Sequence, residues 1–175
     1  MVRKTVDFLH WQIKPHHLLD KQWLVLTSGD FHAGKYNSMI VGWGGFGTMW
    51  NKPFALIPVR PQRYTFEFME QFDSFTLSAL PEKYRTALDL IGTKSGRDMN
   101  KLTSTGLNPI PSSMVSAPGL DEADLIIECR KSYWQDLDPT HFLISSIAKQ
   151  YPRHDYHRIY FGEILSISAT KEFIG

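Results

Sequence analysis

The sequence has one cysteine, no long apolar run and almost no excess of charge. The single cysteine, Cys129, excludes an intramolecular disulfide and a zinc site built from several cysteines. No stretch reaches the roughly 20 apolar residues of a membrane-spanning helix. The first residues also lack the continuous apolar run of a signal peptide. The net charge of +1 argues against nucleic acid or an anionic membrane as a partner. We therefore expect a cytoplasmic protein.

Motifs of nucleophilic and nucleotide-dependent enzymes are also missing. The chain has no G-x-S-x-G sequence, and its glycine-rich stretch fits neither the dinucleotide pattern G-x-G-x-x-G nor the P-loop. Cys129 lies in an apolar segment, where a thiol behaves as a small buried hydrophobic group. We predict no catalytic residue of the nucleophile type.

Histidines occur in two groups, and neither has the spacing of a metal site. His10, His16 and His17 lack a third ligand placed to complete a site. The second group, at 154–157, contains two histidines and an aspartate. Because neighbouring residues of a strand face opposite sides, we interpret it as the turn into a strand. We predict no metal site.

The 175 residues suit a single domain with one sizeable core, preceded by a lead-in arm at 1–20. Short apolar or alternating segments predict strands at 23–27, 38–43, 54–59, 75–79, 125–134 and 157–168. The segment 75–79 alternates apolar and polar residues, which predicts one solvent-exposed side. With three short helices in the middle of the chain, this pattern predicts a mainly β protein built on a barrel.

Capping signals predict those three helices. Thr65 is placed to cap the first, and the second spans about 81–92 between a proline and a glycine. Ser95 and Asp98 have the spacing of a capping box, so the third begins near residue 96 and ends at Gly106. The proline-rich segment 107–120 predicts an extended connection. The pattern at 135–154 fits either a strand or a helical turn.

A glycine-rich stretch joins two of the predicted strands at 42–47. Glycines let the main chain approach a bound group, so backbone amides here would lie along the edge of a planar heterocycle. Trp43 or Trp50 would form its wall. An alternative interpretation is a glycine-rich hairpin whose tryptophans belong to the core.

Two helix starts beside arginines are candidate anion sites. Free N–H groups at a helix N-terminus attract phosphate, and a guanidinium matches its oxygens in pairs. One site combines Arg60, Arg63 and Thr65, and the other comprises residues 95–97. Together with the glycine-rich stretch, they predict a planar ligand that carries a phosphate.

In this order the segments resemble the flavin reductase-like family of FMN-binding split barrels, and specifically its flavoredoxin branch. The resemblance runs from about residue 23 to 167. It rests on K-Y-N-S-M and W-G-G within 35–45, W-N-K-P at 50–53, V-R-P-Q-R-Y-T at 59–65, S-G-R-D at 95–98 with Lys101, and H-R-I-Y-F-G-E at 157–163. It implies a Greek-key split β-barrel that forms a homodimer and holds FMN noncovalently near the subunit interface.

The resemblance also implies the cofactor-binding residues. The isoalloxazine would be lined, mainly through backbone groups, by Asn37, Ser38, Met39, Ile40, Val41, Gly42 and Trp43. The phosphate would be held by Arg60, Pro61, Arg63, Tyr64, Thr65, Ser95, Gly96 and Arg97. His157 matches a histidine that lies near the flavin or the nicotinamide. The chain departs from the family at Ile40, where threonine is frequent, and at Tyr156, where an acid is frequent.

In such a site the flavin performs the redox chemistry, while the protein binds and orients it. Either NAD(P)H would pass a hydride to FMN, or FMN would shuttle electrons between redox protein partners. A third interpretation is a noncatalytic barrel whose glycine-rich hairpin and residues 108–118 bind a protein partner.

Overall fold

The computed structural model describes residues 2–175. The strands are β1 (Lys4–Thr5), β2 (Leu24–Asp30), β3 (Lys35–Val41), β4 (Gly45–Met49), β5 (Lys52–Val59), β6 (Ser74–Ala79), β7 (Pro109–Ile110), β8 (Gly119–Leu120), β9 (Leu125–Asp136) and β10 (Arg158–Ala169). The α-helices are α1 (Tyr64–Gln71), α2 (Arg85–Thr93), α3 (Lys101–Thr105) and α4 (Ser145–Ala148). A π-helix spans His17–Gln22, and 3₁₀ turns span Glu82–Tyr84, Pro139–His141 and Lys171–Phe173. Within 2–175, none of the helices has the length and hydrophobicity to cross a membrane.

Eight strands form one antiparallel sheet in the order β3-β2-β6-β9-β10-β5-β4, and β1 pairs with the end of β10. The long strand β10 pairs with β9 on one side and, through Arg158–Glu163, with β5 on the other. Two register shifts interrupt the ladder between β9 and β10. Such irregularities bend a strand and increase its twist, so they help the sheet to curve.

The sheet encloses its own apolar side chains. Strands β2, β5, β6, β9 and β10 all contribute to a single buried cluster, which includes Leu24, Leu26, Ile57, Phe75, Leu77, Leu125, Ile127 and Tyr160. Because strands along most of the sheet order meet in one cluster, the sheet must curl into a barrel. The mainly β fold predicted from the sequence is confirmed.

The strand β6 has no solvent-exposed side, so that prediction from 75–79 is wrong. All of its residues are buried. The segment that follows α3 covers its polar face: Thr76 Oγ1 donates to the carbonyl of Pro118 at 2.6 Å, and the hydroxyls of Ser74 and Ser116 lie 3.2 Å apart. The apolar and polar alternation within one strand does not reveal that a segment distant in sequence covers its polar face.

Two of the predicted helix starts are also wrong. Thr65 does not cap α1, because the helix begins at Tyr64 and the Thr65 hydroxyl accepts a hydrogen bond from Asn37. The helix α3 begins at Lys101, where the Asn100 side chain accepts from the Thr103 amide. It ends at Gly106 in the left-handed conformation, as predicted. Local cap patterns compete with tertiary hydrogen bonds for the same side chains.

The glycine-rich stretch 42–47 runs from the turn after β3 into the barrel. Part of it forms β4, which pairs with β5. Gly44 has φ 147°, and a Cβ there would overlap the carbonyl oxygen of Leu56. Trp43 and Trp50 are 51% and 60% exposed, so neither belongs to the core.

The undecided region 135–154 contains the end of β9, a 3₁₀ turn and α4. The predicted lead-in arm contains β1 and the start of the π-helix, and Trp11 within it forms a bridge with Ile174. The connection at 107–120 includes the short pair β7 and β8.

Candidate functional site

Two adjoining cavities form a cleft beside β3. The first cavity has a volume of about 600 Å³ and lies between β3, the start of α1, the end of α2 and residues 95–101. The second cavity, of about 410 Å³, lies between the end of β3 and the end of β5. Both are lined by Met39, Ile40, Gln62 and Arg63, so they are continuous.

Within residues 2–175, β3 is the terminal strand of the sheet and pairs with β2 alone. One edge of an end strand has backbone N–H and C=O groups without a strand partner. Met39 and Ile40 line both cavities, and Val41, Gly42 and Trp43 line the second. The sequence-predicted ring-binding segment therefore offers backbone groups and apolar side chains to the cleft.

Thr65 is fixed in the first cavity by a buried hydrogen bond. Asn37 Nδ2 donates to Thr65 Oγ1 at 2.7 Å, and both residues are buried. A Cβ at Gly96 would overlap Asn37 Oδ1. Asn37, Ser38, Tyr64 and Gly96 also line a third cavity of about 240 Å³. This contact brings together segments that lie far apart in sequence.

The three predicted arginines differ in how their charges are compensated. Arg60 Nη1 lies 2.9 Å from Asp155, and Arg97 Nη2 lies 2.5 Å from Glu67. Arg63 has no carboxylate partner within residues 2–175, and it lines both main cavities. Its charge is the one available to an anion. Pro61 and Arg97 line neither main cavity.

A second uncompensated cation, Lys101, lines the first and third cavities. It is buried, and its Nζ donates to the carbonyl of Ile91 at 3.0 Å. Burial, together with the nearby Arg63 guanidinium, lowers the pKa of Lys101 to about 8. Two cations that repel each other in a cavity form a site for an anion.

The sequence-based site omitted Lys101, although a signal was present. The residue stands in the first turn of α3, where a positive charge opposes the helix dipole. A lysine at that position does not stabilise the helix, so its presence there indicates a role outside the helix.

His157 lies at the other end of the cleft, in the second cavity. Its Nδ1 is 2.8 Å from the hydroxyl of Tyr151, and its ring centroid is 5.1 Å from that of Trp43. Burial, reinforced by the positive charges of Arg60 and Arg63, lowers the pKa of His157 to about 4. The imidazole is therefore neutral near pH 7. No sequence pattern singled out Tyr151.

Cys129, which the sequence predicts to be a small buried hydrophobic group, lies outside the cleft. Cys129 is fully buried in β9, and burial with the nearby Glu128 carboxylate raises the pKa of its thiol far above the usual range. Among residues 2–175 there is no group of three or more side chains placed to hold a metal ion.

The residues of the cleft fit a planar ligand that carries a phosphate. Met39, Ile40 and the open edge of β3 suit a flat ring, while Arg63 and Lys101 supply positive charge. Thr65 and Ser95 add hydroxyl groups to the same first cavity. FMN has both chemical parts.

Comparison with known proteins also indicates a flavin reductase-like protein. The family model described as "Flavin reductase like domain" matches residues 19–172. Flavoredoxin of Desulfovibrio vulgaris (Miyazaki F) is similar in structure, with a TM-score of 0.66, 21% identity, and coverage of 86% of this chain and 70% of that one. Flavoredoxin from Methanosarcina acetivorans has a TM-score of 0.67 and 21% identity, with coverage of 88% and 71%.

A third similar structure is an NADH:FAD oxidoreductase of Streptomyces globisporus C-1027, with a TM-score of 0.66, 15% identity, and coverage of 88% of this chain and 78% of that one. A sequence comparison with curated proteins finds no match. At these identities the structural similarities show the fold, which is the split barrel.

Proposed function

The chain belongs to the flavin reductase-like family, whose model matches residues 19–172, and from this premise we propose that it is an FMN-dependent oxidoreductase. Membership itself indicates a flavin-binding oxidoreductase family. The choice of FMN rests on two cations, Arg63 and Lys101, that have no carboxylate partner among residues 2–175. They lie at one end of a cleft whose side is the open edge of β3.

In this proposal the first cavity holds the phosphate. Arg63 and Lys101 neutralise its charge, and the Thr65 and Ser95 hydroxyls donate hydrogen bonds to its oxygens. The Asn37 amide positions the Thr65 hydroxyl, because Nδ2 donates to its oxygen and leaves its proton free. Arg60 and Arg97 act indirectly, since each is already paired with a carboxylate.

The ring system lies along residues 39–43, toward the second cavity. Backbone groups of β3 orient the ring, and Met39 and Ile40 exclude water from it. When bound, FMN would supply the hydride or electron chemistry. Trp43 and His157 form the wall of the second cavity, where an electron donor would approach. We propose NAD(P)H as that donor, by analogy with the relative named as an NADH:FAD oxidoreductase.

The first experiment tests flavin binding. The protein is incubated with FMN or riboflavin, desalted, and examined by visible absorption. We expect FMN to be retained more strongly than riboflavin, which lacks the phosphate. A protein that remains colourless after incubation with FMN would contradict the proposal.

The second experiment identifies the electron donor. The FMN-loaded protein is mixed anaerobically with NADH or NADPH. Bleaching of the flavin absorbance at catalytic rates supports a reductase. Absence of bleaching with both, while dithionite still bleaches the flavin, overturns NAD(P)H as donor and favours an electron carrier that serves redox protein partners.

We also propose that the chain acts as a homodimer in the cytoplasm. Support for the dimer comes from an aromatic patch formed by Trp50, Phe54, Tyr133 and Phe161, in which Trp50 and Tyr133 are exposed and Phe54 and Phe161 are half-buried. Neighbouring ring centroids in this patch lie 5.5–6.4 Å apart. Exposed apolar clusters of this kind mark interaction surfaces.

A further inference from the structure

Tyr151 and His157 form a buried polar pair at the wall of the second cavity. The Tyr151 hydroxyl lies 2.8 Å from His157 Nδ1, and the two side chains are only 4% and 7% exposed. His157 Nε2 has no hydrogen-bond partner within residues 2–175, and the residue lines the second cavity. One ring nitrogen is therefore fixed by the protein, and the other is available to a ligand.

The direction of this hydrogen bond follows from the surroundings of the hydroxyl. Among residues 2–175, His157 Nδ1 is the one acceptor within reach of the Tyr151 O–H. If Nδ1 carried the proton and donated to the tyrosine oxygen, the buried O–H would have no acceptor. A buried donor left without an acceptor destabilises the folded protein. The favourable arrangement is donation from Tyr151 to Nδ1, with the proton of the neutral ring on Nε2.

The tyrosine is itself held in place by a charged network. The guanidinium of Arg60 lies 5.1 Å from the centre of the Tyr151 ring, and it donates to Asp155 and to the carbonyl of Gln150. Gln62 also donates to Asp155, at 2.5 Å. These contacts tie the segment before β10 to the end of β5, so the Tyr151 hydroxyl has a defined position.

We propose that Tyr151 is a positioning residue that keeps His157 as the Nε2–H tautomer, so that His157 donates a hydrogen bond into the second cavity. The ligand group that it would meet is a hydrogen-bond acceptor such as a carbonyl oxygen. The identity of this ligand rests on the proposed flavin function, whereas the tautomer of His157 does not.

The charges around His157 keep it neutral over the physiological range. Arg60 faces it from the end of β5, Arg63 from the segment before α1, and Asp155 from its own segment. Burial makes the largest contribution, and the two cations outweigh the carboxylate, so the pKa of His157 is lowered to about 4. His157 is thus neutral near pH 7, where its ring N–H can donate a hydrogen bond.

The direct test is NMR of the histidine side-chain nitrogens in ¹⁵N-histidine-labelled, flavin-free protein. The signals of His157 are assigned by their disappearance in the variant His157→Asn. We expect a protonated Nε2 and a bare, hydrogen-bonded Nδ1. The variant Tyr151→Phe should yield a mixture of tautomers and raise the pKa of His157 by roughly 0.5 to 1.

The matched control is Tyr156→Phe, because the Tyr156 hydroxyl also lies near a histidine nitrogen, His154 Nδ1, at 3.1 Å, but is exposed. It should leave the His157 signals unchanged. A protonated Nδ1 in the unmodified protein, or the same His157 tautomer in Tyr151→Phe, would overturn the proposal.

A second readout uses the flavin-loaded protein. Tyr151→Phe should raise the KM of the nicotinamide, or weaken its binding, by on the order of two- to tenfold with a smaller change in FMN affinity. If FMN does not bind at all, the proposed function fails, while the NMR experiment still decides the role of Tyr151. If Tyr151→Phe changes neither the KM nor the FMN affinity, the proposal that His157 Nε2 donates a hydrogen bond to a ligand is wrong.

Discussion

At the scale of single residues, compensation of charge distinguishes the cations of the cleft. Arg60 and Arg97 are each paired with a nearby carboxylate, whereas Arg63 and Lys101 have no such partner in the part of the chain that the structure describes. Lys101 is buried, and a buried cation without an acidic partner is unfavourable in the free protein, so an anion would relieve that cost. We therefore propose the phosphate end of the site from the charges without a carboxylate partner within residues 2–175, rather than from the number of arginines.

Lys101→Met is expected to weaken FMN binding by roughly 10- to 100-fold, the loss associated with a hydrogen bond to a charged group. Riboflavin binding should change little, because it has no phosphate. Fluorescence titration with both flavins measures the difference. The control is Arg97→Ala, whose charge is already paired with Glu67. Equal losses in the two variants would contradict the assignment.

The same lysine predicts a pH dependence. Its pKa of about 8 in the free protein means that it is protonated below pH 8 and loses its proton as the pH rises. FMN affinity should therefore fall between pH 8 and 10, accompanied by proton uptake on binding in that range. Calorimetry in buffers of different ionisation enthalpy measures the uptake. In Lys101→Met this uptake should vanish; if it persists, another group is responsible.

Cys129→Ser is expected to leave flavin binding and reduction unchanged, since the thiol is fully buried in β9 and away from the cleft. The serine hydroxyl would be buried among apolar groups, so stability should fall by about 1–3 kcal/mol. Chemical denaturation and flavin titration separate the two effects. Loss of activity in a fully folded variant would show that the thiol takes part in the reaction.

At the scale of elements, the cleft depends on how segments from different parts of the chain meet at β3. The turn before α1 approaches through Thr65, and the segment before α3 approaches through Gly96, which packs against Asn37. The absence of a side chain at Gly96 allows that approach. The site therefore requires glycine there for packing, and not for an unusual backbone angle.

Gly96→Ala should displace the Asn37 side chain, break its hydrogen bond to Thr65, and reduce FMN affinity by about tenfold or more. Its matched control is Gly45→Ala, because a Cβ at Gly45 would meet no atom within 4 Å. Both variants are compared by circular dichroism and FMN titration. Unchanged affinity in Gly96→Ala would mean that the Asn37–Thr65 contact does not support the site.

At the scale of the whole molecule, the second cavity occupies a gap in the barrel. The strands β3 and β5 are not paired with each other, yet residues from the ends of both line the cavity, including Trp43 from the turn after β3 and Pro58 from β5. The barrel encloses its core but leaves a gap between β3 and β5. A ligand in this gap can contact free backbone groups of β3 while it remains accessible to an electron donor.

Light scattering coupled to size-exclusion chromatography should give twice the chain mass. Tyr133→Asp places a charge in the aromatic patch and is expected to produce a folded monomer. Trp134→Asp is the control, since Trp134 is also exposed but stacks on Arg158, with the guanidinium 3.6 Å from the ring centre. A dimer that persists in Tyr133→Asp would exclude the patch as the subunit contact.

Much of the fold could be predicted from the sequence, because strand periodicity and turn residues are local signals. The six predicted strands correspond to β2, β3, β5, β6, β9 and β10. Two wrong predictions, the exposed side of β6 and the cap at Thr65, concern residues whose partners come from distant segments. The third is local, because the Ser95 hydroxyl accepts from the Arg97 amide in a turn and Asn100 caps α3 instead. The missed residues, Lys101 and Tyr151, owe their role to burial and to neighbours that no spacing rule contains.

The sequence by itself determined the class of fold, the absence of a disulfide, and the segments that resemble the flavin reductase-like family. These properties depend on residue type and order along the chain. The tertiary structure decided which cations remain unpaired, which strand edge is open, and which nitrogen of His157 faces the cavity. Those properties depend on contacts between residues far apart in sequence, because burial and a charged neighbour change the chemistry of a side chain without changing its identity.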